Sequence, residues 1–347
     1  MRVLITGGAG FLGLHIARYF NKKKWDVRLL DIAPFPAEEY PKGTEYVHGD
    51  IRDKKKVQEA VEGCDVVIHA AAALPLRSRE EIMTTNIDGT RNVLAESLKQ
   101  NVVRVVYISS TAVYGVPEKH PVYESDPMVG VGPYGESKIG AEQVCQEYRK
   151  KGLVVTVIRP KTFVGTHRLG VFEILFDWIK DGKKIPLIGD GENHYQLLEV
   201  DDLVEAIYGC IVHKKEEDIN TEFNVGALEF GLIKDDLHNM FEKVGSLSRI
   251  MPTPAGPIKF ALFIFEKLKL SPLYAWVYAT ADKDSYVSIE KIMKAIKWKP
   301  TYSNTDALVK AYKWYEEHYD EIKSRGSGTT HTVGWKQGIL GFFKKFM

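Results

Sequence analysis

The chain is poor in cysteine, in net charge and in long apolar runs, and each shortage excludes something. Only Cys64, Cys145 and Cys210 occur among 347 residues, and they have no metal-ligand spacing. So sparse and odd a count argues against a disulfide framework and points to a reducing, cytoplasmic setting; no metal is expected. Lys and Arg number 47 against 46 Asp and Glu. That balance leaves no global field to draw in nucleic acid or a membrane, so any anionic ligand must be held by a local site. The longest apolar stretch, near Phe260 to Phe265, falls far short of the roughly 20 residues of a membrane span. A strand-like run begins directly after Met1, so no targeting segment is expected ahead of the fold. What is present is 44% apolar and 27% charged residues, enough for a sizeable core. The length suits two domains, or one with an added lobe.

Short β-branched runs alternate with amphipathic stretches through the first half. Arg2–Thr6, Val27–Asp31, Glu45–His48, Val66–Ala70, Val103–Ser109 and Val154–Arg159 read as strands buried on both faces. Phe11–Lys22, Lys54–Glu62, Met83–Gln100 and Tyr134–Lys150 read as helices between them. The alternation predicts an α/β fold with a doubly wound parallel sheet. After Pro160 come a helix near Val171–Asp181, a turn-rich Ile188–Asn193, the segment Gln196–Val200, a helix over Leu203–His213, a strand at Glu222–Val225 and mixed helices to about Lys323. The expected division is a nucleotide domain over 1–165, with 186–215 returning to it, and a smaller mixed α/β substrate lobe over 166–185 and 216–323. Residues 324–347 form a Gly/Ser/Thr linker and a short amphipathic tail.

The first strand ends in Thr6-Gly7-Gly8-Ala9-Gly10-Phe11-Leu12-Gly13, and a helix follows. Gly10 and Gly13 complete GxGxxG from Gly8 and GxxGxxG from Gly7. Missing side chains let the backbone approach a pyrophosphate at a helix N-terminus. The strand before, the helix after, and Asp31 at the end of the second strand make this a dinucleotide site. Asp31 can accept from both ribose hydroxyls and would repel a 2′-phosphate, which favours NAD over NADP; Arg28 on the same strand is a candidate to offset that repulsion. Asp50 in His48-Gly49-Asp50-Ile51 suits either the adenine amino group or a helix cap. Ala70, Ala71 and Ala72 suit either close passage of a cofactor or tight packing.

The fifth strand runs into Ser110, and Tyr134-Gly135-Glu136-Ser137-Lys138 opens the next helix. Tyr134 and Lys138, four residues apart, share a helix face. A phenol titrating near 10 is a poor base at neutral pH, and a neighbouring ammonium and a positive nicotinamide bring it toward the working range. Ser110 can hold a substrate oxygen while Tyr134 moves the proton and hydride passes to the nicotinamide.

TGGAGFLG, Asp31, the Ala70–Ala72 run, Asn86 in TTNIDGTRNVL, ISSTAVYG and PYGESKIGAE together resemble the extended short-chain dehydrogenase/reductase family, which includes NAD-dependent nucleotide-sugar epimerases and dehydratases. The likeness covers about residues 1–320 and is tightest in the first 165. It implies a Rossmann fold, a catalytic set of Ser110, Tyr134 and Lys138, and Lys138 bonded to the nicotinamide ribose. It also implies Asn86 in a structural or water-holding role, although a helix cap fits as well. With the residue reading, cofactor contacts are expected at Gly7, Gly10, Phe11, Leu12, Gly13, Asp31, Asp50, Ile51, Ala70, Ala71, Ala72, Asn86, Ser109, Tyr134, Lys138 and Pro160. Substrate contacts are expected at Thr111, Thr162 and Tyr195. A homodimer is implied through Met83–Gln100 and Tyr134–Lys150.

The departures bear on substrate. Sugar-nucleotide 4,6-dehydratases of this family carry an Asp-Glu pair directly after the catalytic hydroxyl. Thr111 and Ala112 stand there, so dehydration by that route is not expected. Thr162 stands where galactose-type epimerases have Asn, and Tyr195 where they have the Arg that grips the diphosphate. Lys161, His167, Arg168 or Lys283 are the candidates to replace that guanidinium. Met251–Tyr278 is unusually apolar, which suits either a hydrophobic substrate or membrane, or a buried helix pair. In the tail, Trp335, Ile339, Phe342, Phe343 and Phe346 fall on one side of a helix, with Lys336, Lys344 and Lys345 outside it. Such a segment suits an anionic membrane surface, the chain's own body or a twin subunit. The leading expectation is an NAD-dependent epimerase or oxidoreductase of a nucleotide-activated sugar. Its alternatives are a dehydrogenase of a hydrophobic, steroid- or isoprenoid-like alcohol and a non-catalytic NAD sensor.

Overall fold

The computed structural model describes residues 1–268, 275–324, 337–344 and 347. In the first half, strands β1 (Arg2–Thr6), β2 (Asp26–Asp31), β3 (Glu45–His48), β4 (Val66–His69), β5 (Arg104–Ile108) and β6 (Val155–Pro160) alternate with helices α1 (Phe11–Lys22), α2 (Lys54–Val61), α3 (Arg79–Met83), α4 (Thr90–Lys99) and α5 (Gly132–Lys150). Then follow β7 (Phe163–Val164), α6 (Val171–Lys180), β8 (Lys184–Ile188), β9 (Leu198–Glu199), α7 (Val200–Val212), α8 (Glu216–Ile219), β10 (Glu222–Val225), α9 (Ile233–Val244), β11 (Arg249–Thr253) and α10 (Ala255–Lys267). Helices α11 (Ala275–Thr280), α12 (Glu290–Ile296), α13 (Asn304–Glu317), α14 (Tyr319–Ser324) and α15 (Ile339–Lys344) close the described chain.

Seven strands form one parallel sheet in the order β10-β6-β5-β4-β1-β2-β3. The pleat sends alternate side chains to opposite faces. Val3, Ile5, Val27, Leu29, Val66 and Ile68 meet α1 and α7 on one side. Leu4, Leu30, Val67, Val105, Val155 and Val157 meet α2, α4 and α5 on the other. Burial on both faces is why these strands are largely apolar. The chain order reverses between β1 and β4, and the crevice at such a reversal is where open α/β sheets bind ligands.

The structure redraws parts of the sequence reading. Glu222–Val225, expected in the substrate lobe, is the edge strand of the main sheet beside β6. Its Phe223 and Val225 are wholly buried there. Residues 186–188, expected to return to the nucleotide domain, lie in β8, which pairs with β11 in a separate two-stranded sheet. A third core joins α6, α9 and α13 around Phe176, Trp178, Met240 and Tyr315. The helix expected from Met83 starts at Arg79, because Ser78 caps it by accepting from the Glu81 N–H at 3.2 Å. A π-helical turn at Thr84–Gly89 joins α3 to α4.

Of the tail, Trp335, Lys336, Lys345 and Phe346 lie outside the described residues, as does the linker from 325 onward. The described part docks on the chain's own body. Leu340 packs on the third core, and Lys344, expected on the exposed polar side, donates to Asp177 and Asp181 at 2.5 and 2.7 Å. No described helix is long and apolar enough to cross a membrane.

Candidate active site

A cleft of about 1410 Å³ opens where β1, β2, β4, β5 and β6 end. Of the residues expected to touch cofactor or substrate, all but Gly13 and Asn86 line it. Gly7 takes φ +69°, and a Cβ there would stand 2.8 Å from the Ala71 nitrogen. Gly13 lies beneath the turn, where a Cβ would come within 2.5 Å of the Gly7 and Gly8 carbonyl oxygens. Tyr40 steadies the turn by donating to the Gly8 carbonyl at 2.8 Å. The first turn of α1 carries no acid, so its N-terminal N–H groups and dipole face the cleft uncompensated. This cradle fits a dinucleotide pyrophosphate.

Asp31 accepts from the N–H groups of Ala9 and Ala33 at 3.0 and 2.8 Å. Burial raises its carboxyl above the ordinary range, against the pull of those two bonds. Arg28 does not offset a 2′-phosphate, because it is taken up by Glu45 at 2.7 Å and by the carbonyls of Ala60 and Glu62. The cap of α2 is Asp53, which leaves Asp50 at the cleft, paired with Arg52 at 2.6 Å. Ile51 lines the wall beside it. Asn86 is buried behind the wall: it accepts from the Ala73 N–H at 2.7 Å and donates to Ser137 at 2.9 Å. Its place is support for the chain that carries Ala70, Ala71 and Ala72.

Ser110 caps a short 3-10 turn over Thr111–Tyr114 by accepting from the Ala112 N–H at 3.1 Å. Its own proton can still be donated. Gly132 and Pro133 begin α5 directly ahead of Tyr134, so Tyr134 lies in the first turn and Lys138 in the next. The Lys138 ammonium is 5.8 Å from the centroid of the Tyr134 ring and donates to the Ile108 carbonyl at 2.8 Å. Burial brings its pKa down to about 8, with the charge of Glu142 opposing.

A buried network missed in the sequence braces this set from below. Ser109 donates to Glu142 at 2.5 Å. Arg159 pairs with Glu142 at 2.6 Å, both nearly wholly buried, and donates to the Tyr114 hydroxyl at 2.7 Å. Tyr114 in turn donates to Asn224 at 2.7 Å. One signal was available, namely an Arg inside an otherwise apolar strand, which needs a buried partner.

On the substrate side, the Thr162 hydroxyl is 3.3 Å from that of Tyr195. Lys161, His167 and Arg168 line the cleft, while Lys283 is exposed and does not. No described residue of the apolar 251–278 segment lines it. That segment's first helix is not buried: α10 and the residue after it expose Phe260, Phe263, Ile264 and Leu268 to solvent.

A model of the NAD dependent epimerase/dehydratase family matches residues 3–226. The uncharacterized protein y4nG of Sinorhizobium fredii is 33% identical over 339 residues, which are 97% of this chain and 84% of that protein. The UDP-glucose 4-epimerase of Halalkalibacterium halodurans is 26% identical over 92% of this chain and 96% of its own. Among solved structures, a UDP-glucose 4-epimerase from Thermotoga maritima, crystallised with UDP-glucose, matches with a TM-score of 0.76 at 22% identity, over 92% of this chain and 100% of that one. This last likeness is one of fold.

Proposed function

The chain belongs to the NAD dependent epimerase/dehydratase family, and from that premise we propose that it is an NAD-dependent epimerase or oxidoreductase of a nucleotide-activated sugar, with Tyr134 as acid and base. The observation that carries this reading is the meeting of Ser110, Tyr134 and Lys138 in one cleft with a complete dinucleotide cradle. Gly7, Gly10, Phe11 and Leu12 would hold the pyrophosphate of NAD, Asp31 a ribose and Asp50 the adenine end. NAD, when bound, would supply the hydride acceptor and donor for the carbinol carbon of the sugar. Ser110 donates to the sugar oxygen and fixes its position. Tyr134 takes the hydroxyl proton as the carbonyl forms and gives it back on reduction. The ammonium of Lys138 favours the phenolate form of Tyr134. Thr111 and Ala112 offer no carboxylate for elimination, so the sugar keeps its water.

The relatives' names support a nucleotide sugar, since the curated UDP-glucose 4-epimerase spans nearly the whole chain. The hydrophobic-alcohol alternative is not favoured, because no described residue of the 251–278 segment lines the cleft. An intact catalytic set speaks against the sensor. We further place a homodimer contact on α4 and α5, which pack side by side and share the Arg91–Glu147 ion pair at 2.5 Å; sedimentation equilibrium reads it.

Purified protein with UDP- and dTDP-sugars tests the reading. Tyr134→Phe is expected to lower kcat by about 10²–10⁴ while NAD affinity, read by fluorescence titration, stays within about twofold. Absence of turnover, together with no thermal stabilisation by UDP or dTDP, defeats it.

A further inference from the structure

The chain is almost neutral, with 47 basic against 46 acidic residues, but the surface at the end of α6 is not. Three segments meet there. The loop before β11 is tied on by Ser246 and Ser248, whose hydroxyls donate to the Ile179 carbonyl at 2.8 and 3.4 Å. The tail is tied on by Gln337, which accepts from the Trp178 indole, and by Lys344 on Asp177 and Asp181. Strand β8 leaves the same turn and runs beside β11, with Lys184 paired to Arg249.

What these segments leave in solvent is both apolar and basic. Leu247 is 86% exposed, and it flanks the turn so closely that a Cβ on Gly182 would stand 3.6 Å from its own. On the tail side Phe342 and Phe343 are 56% and 40% exposed. Lys180, Lys184 and Arg249 are exposed and have no carboxylate partner among the described residues. Asp181, the acid of the turn itself, is taken up by Lys344 at 2.7 Å. Large apolar tips beside unpaired cations select among partners. A second copy of the chain, meeting this surface face to face, would bring like charges together. Three side chains also fall short of the roughly 800 Å² per partner of a stable dimer. A nucleic acid would use the cations and leave the Leu and Phe tips unburied. An anionic bilayer satisfies both, with apolar tips in the headgroup layer and lysine stems lying along it.

We propose that the end of α6, with the loop before β11 and the docked tail, is a docking surface for an anionic lipid bilayer: Leu247, Phe342 and Phe343 enter the headgroup layer, and Lys180, Lys184 and Arg249 meet the lipid phosphates. None of these six residues lines the cleft, so the inference stands apart from the catalytic reading.

The test is co-sedimentation of the full chain with vesicles of one part phosphatidylglycerol to two of phosphatidylcholine, and with vesicles of phosphatidylcholine alone. The wild type is expected to sediment with the mixed vesicles and not with the neutral ones, and to be released as salt is raised. Replacing both Lys184 and Arg249 by Gln is expected to lower the partition coefficient roughly 30-fold. Leu247→Ser is expected to lower it about tenfold. All these positions are exposed, so the melting temperature and the turnover of soluble substrates should stay with the wild type. Failure of the wild type to bind the mixed vesicles, or equal binding to both kinds, overturns the proposal without any variant. Binding that survives these substitutions and is lost in Phe260→Ser overturns it by moving the contact to α10. Self-association of the wild type that the same substitutions abolish, read by sedimentation velocity, overturns it by giving the surface to a second copy.

Discussion

Two buried lysines face the cleft, and their surroundings set them apart. Lys138 has the Ile108 carbonyl and the opposing charge of Glu142, and remains near pKa 8. Lys161 has one neutral hydroxyl and falls to about 7 from an ordinary 10.5. Between about pH 7 and 10.5 the unfolded chain therefore holds a proton on residue 161 that the folded chain has lost. Stability attributable to this group thus rises with pH across that window, and the full cost of the buried ammonium is present below about 7. Lys161→Met removes that cost. It should raise the melting temperature of the ligand-free protein at pH 6.5, by the equivalent of about 1–4 kcal/mol, with the gain fading toward pH 10. A gain of equal size at both pH values, read by calorimetry, shows that packing rather than charge is responsible. Burial of Lys161 was not readable from its neighbours in sequence. Ser285 is 124 residues away, and the residues flanking Lys161 give no sign that it turns inward.

At the scale of elements, the turn between β1 and α1 was legible because its chemistry is local: a few glycines, one strand and one helix define it. The Tyr134–Lys138 pair was legible for the same reason, since one helix turn brings the two together. The Glu142–Arg159 brace was not, because it joins α5 to β6, and Tyr114 and Asn224 extend it to the turn after β5 and to β10. The place of β10 in the main sheet escaped similarly: four residues carry no mark of the strand they will pair with. The brace has a testable weight. Glu142→Ala leaves the Arg159 guanidinium buried without its anion, which should cost about 3–5 kcal/mol and loosen Ser109 next to Ser110. Chemical denaturation should show a lower midpoint with an unchanged slope. A loss under about 1 kcal/mol refutes the view that this ion pair holds the site from below.

The whole molecule is closed by contacts between segments far apart in the chain, and α15 is the clearest of them. Burial alone would raise the Asp177 carboxyl. The bonds from Lys344 and Gln337 and the nearby charge of Lys323 outweigh burial and hold it below the usual carboxylate range. A carboxyl with a depressed folded pKa stabilises the fold above its unfolded value, and that contribution is lost as pH falls through the folded one. The sequence offered three destinations for the tail, because an amphipathic face states that it must be covered and not by what. The structure seats its described residues on α6, with Lys344 spanning Asp177 and Asp181 and the Trp178 indole donating to Gln337 at 3.2 Å. Lys344→Met should therefore lower stability at pH 7 by about 1–3 kcal/mol, a few degrees in Tm. The deficit should shrink as pH falls through and below the ordinary carboxylate range, because a protonated Asp177 no longer rewards the ammonium. Turnover should be little changed, because neither Asp177 nor Lys344 reaches the cleft. If the variant melts with the wild type at every pH, Lys323 and Gln337 satisfy Asp177 without it and the ammonium of the tail adds nothing to the closure of the fold.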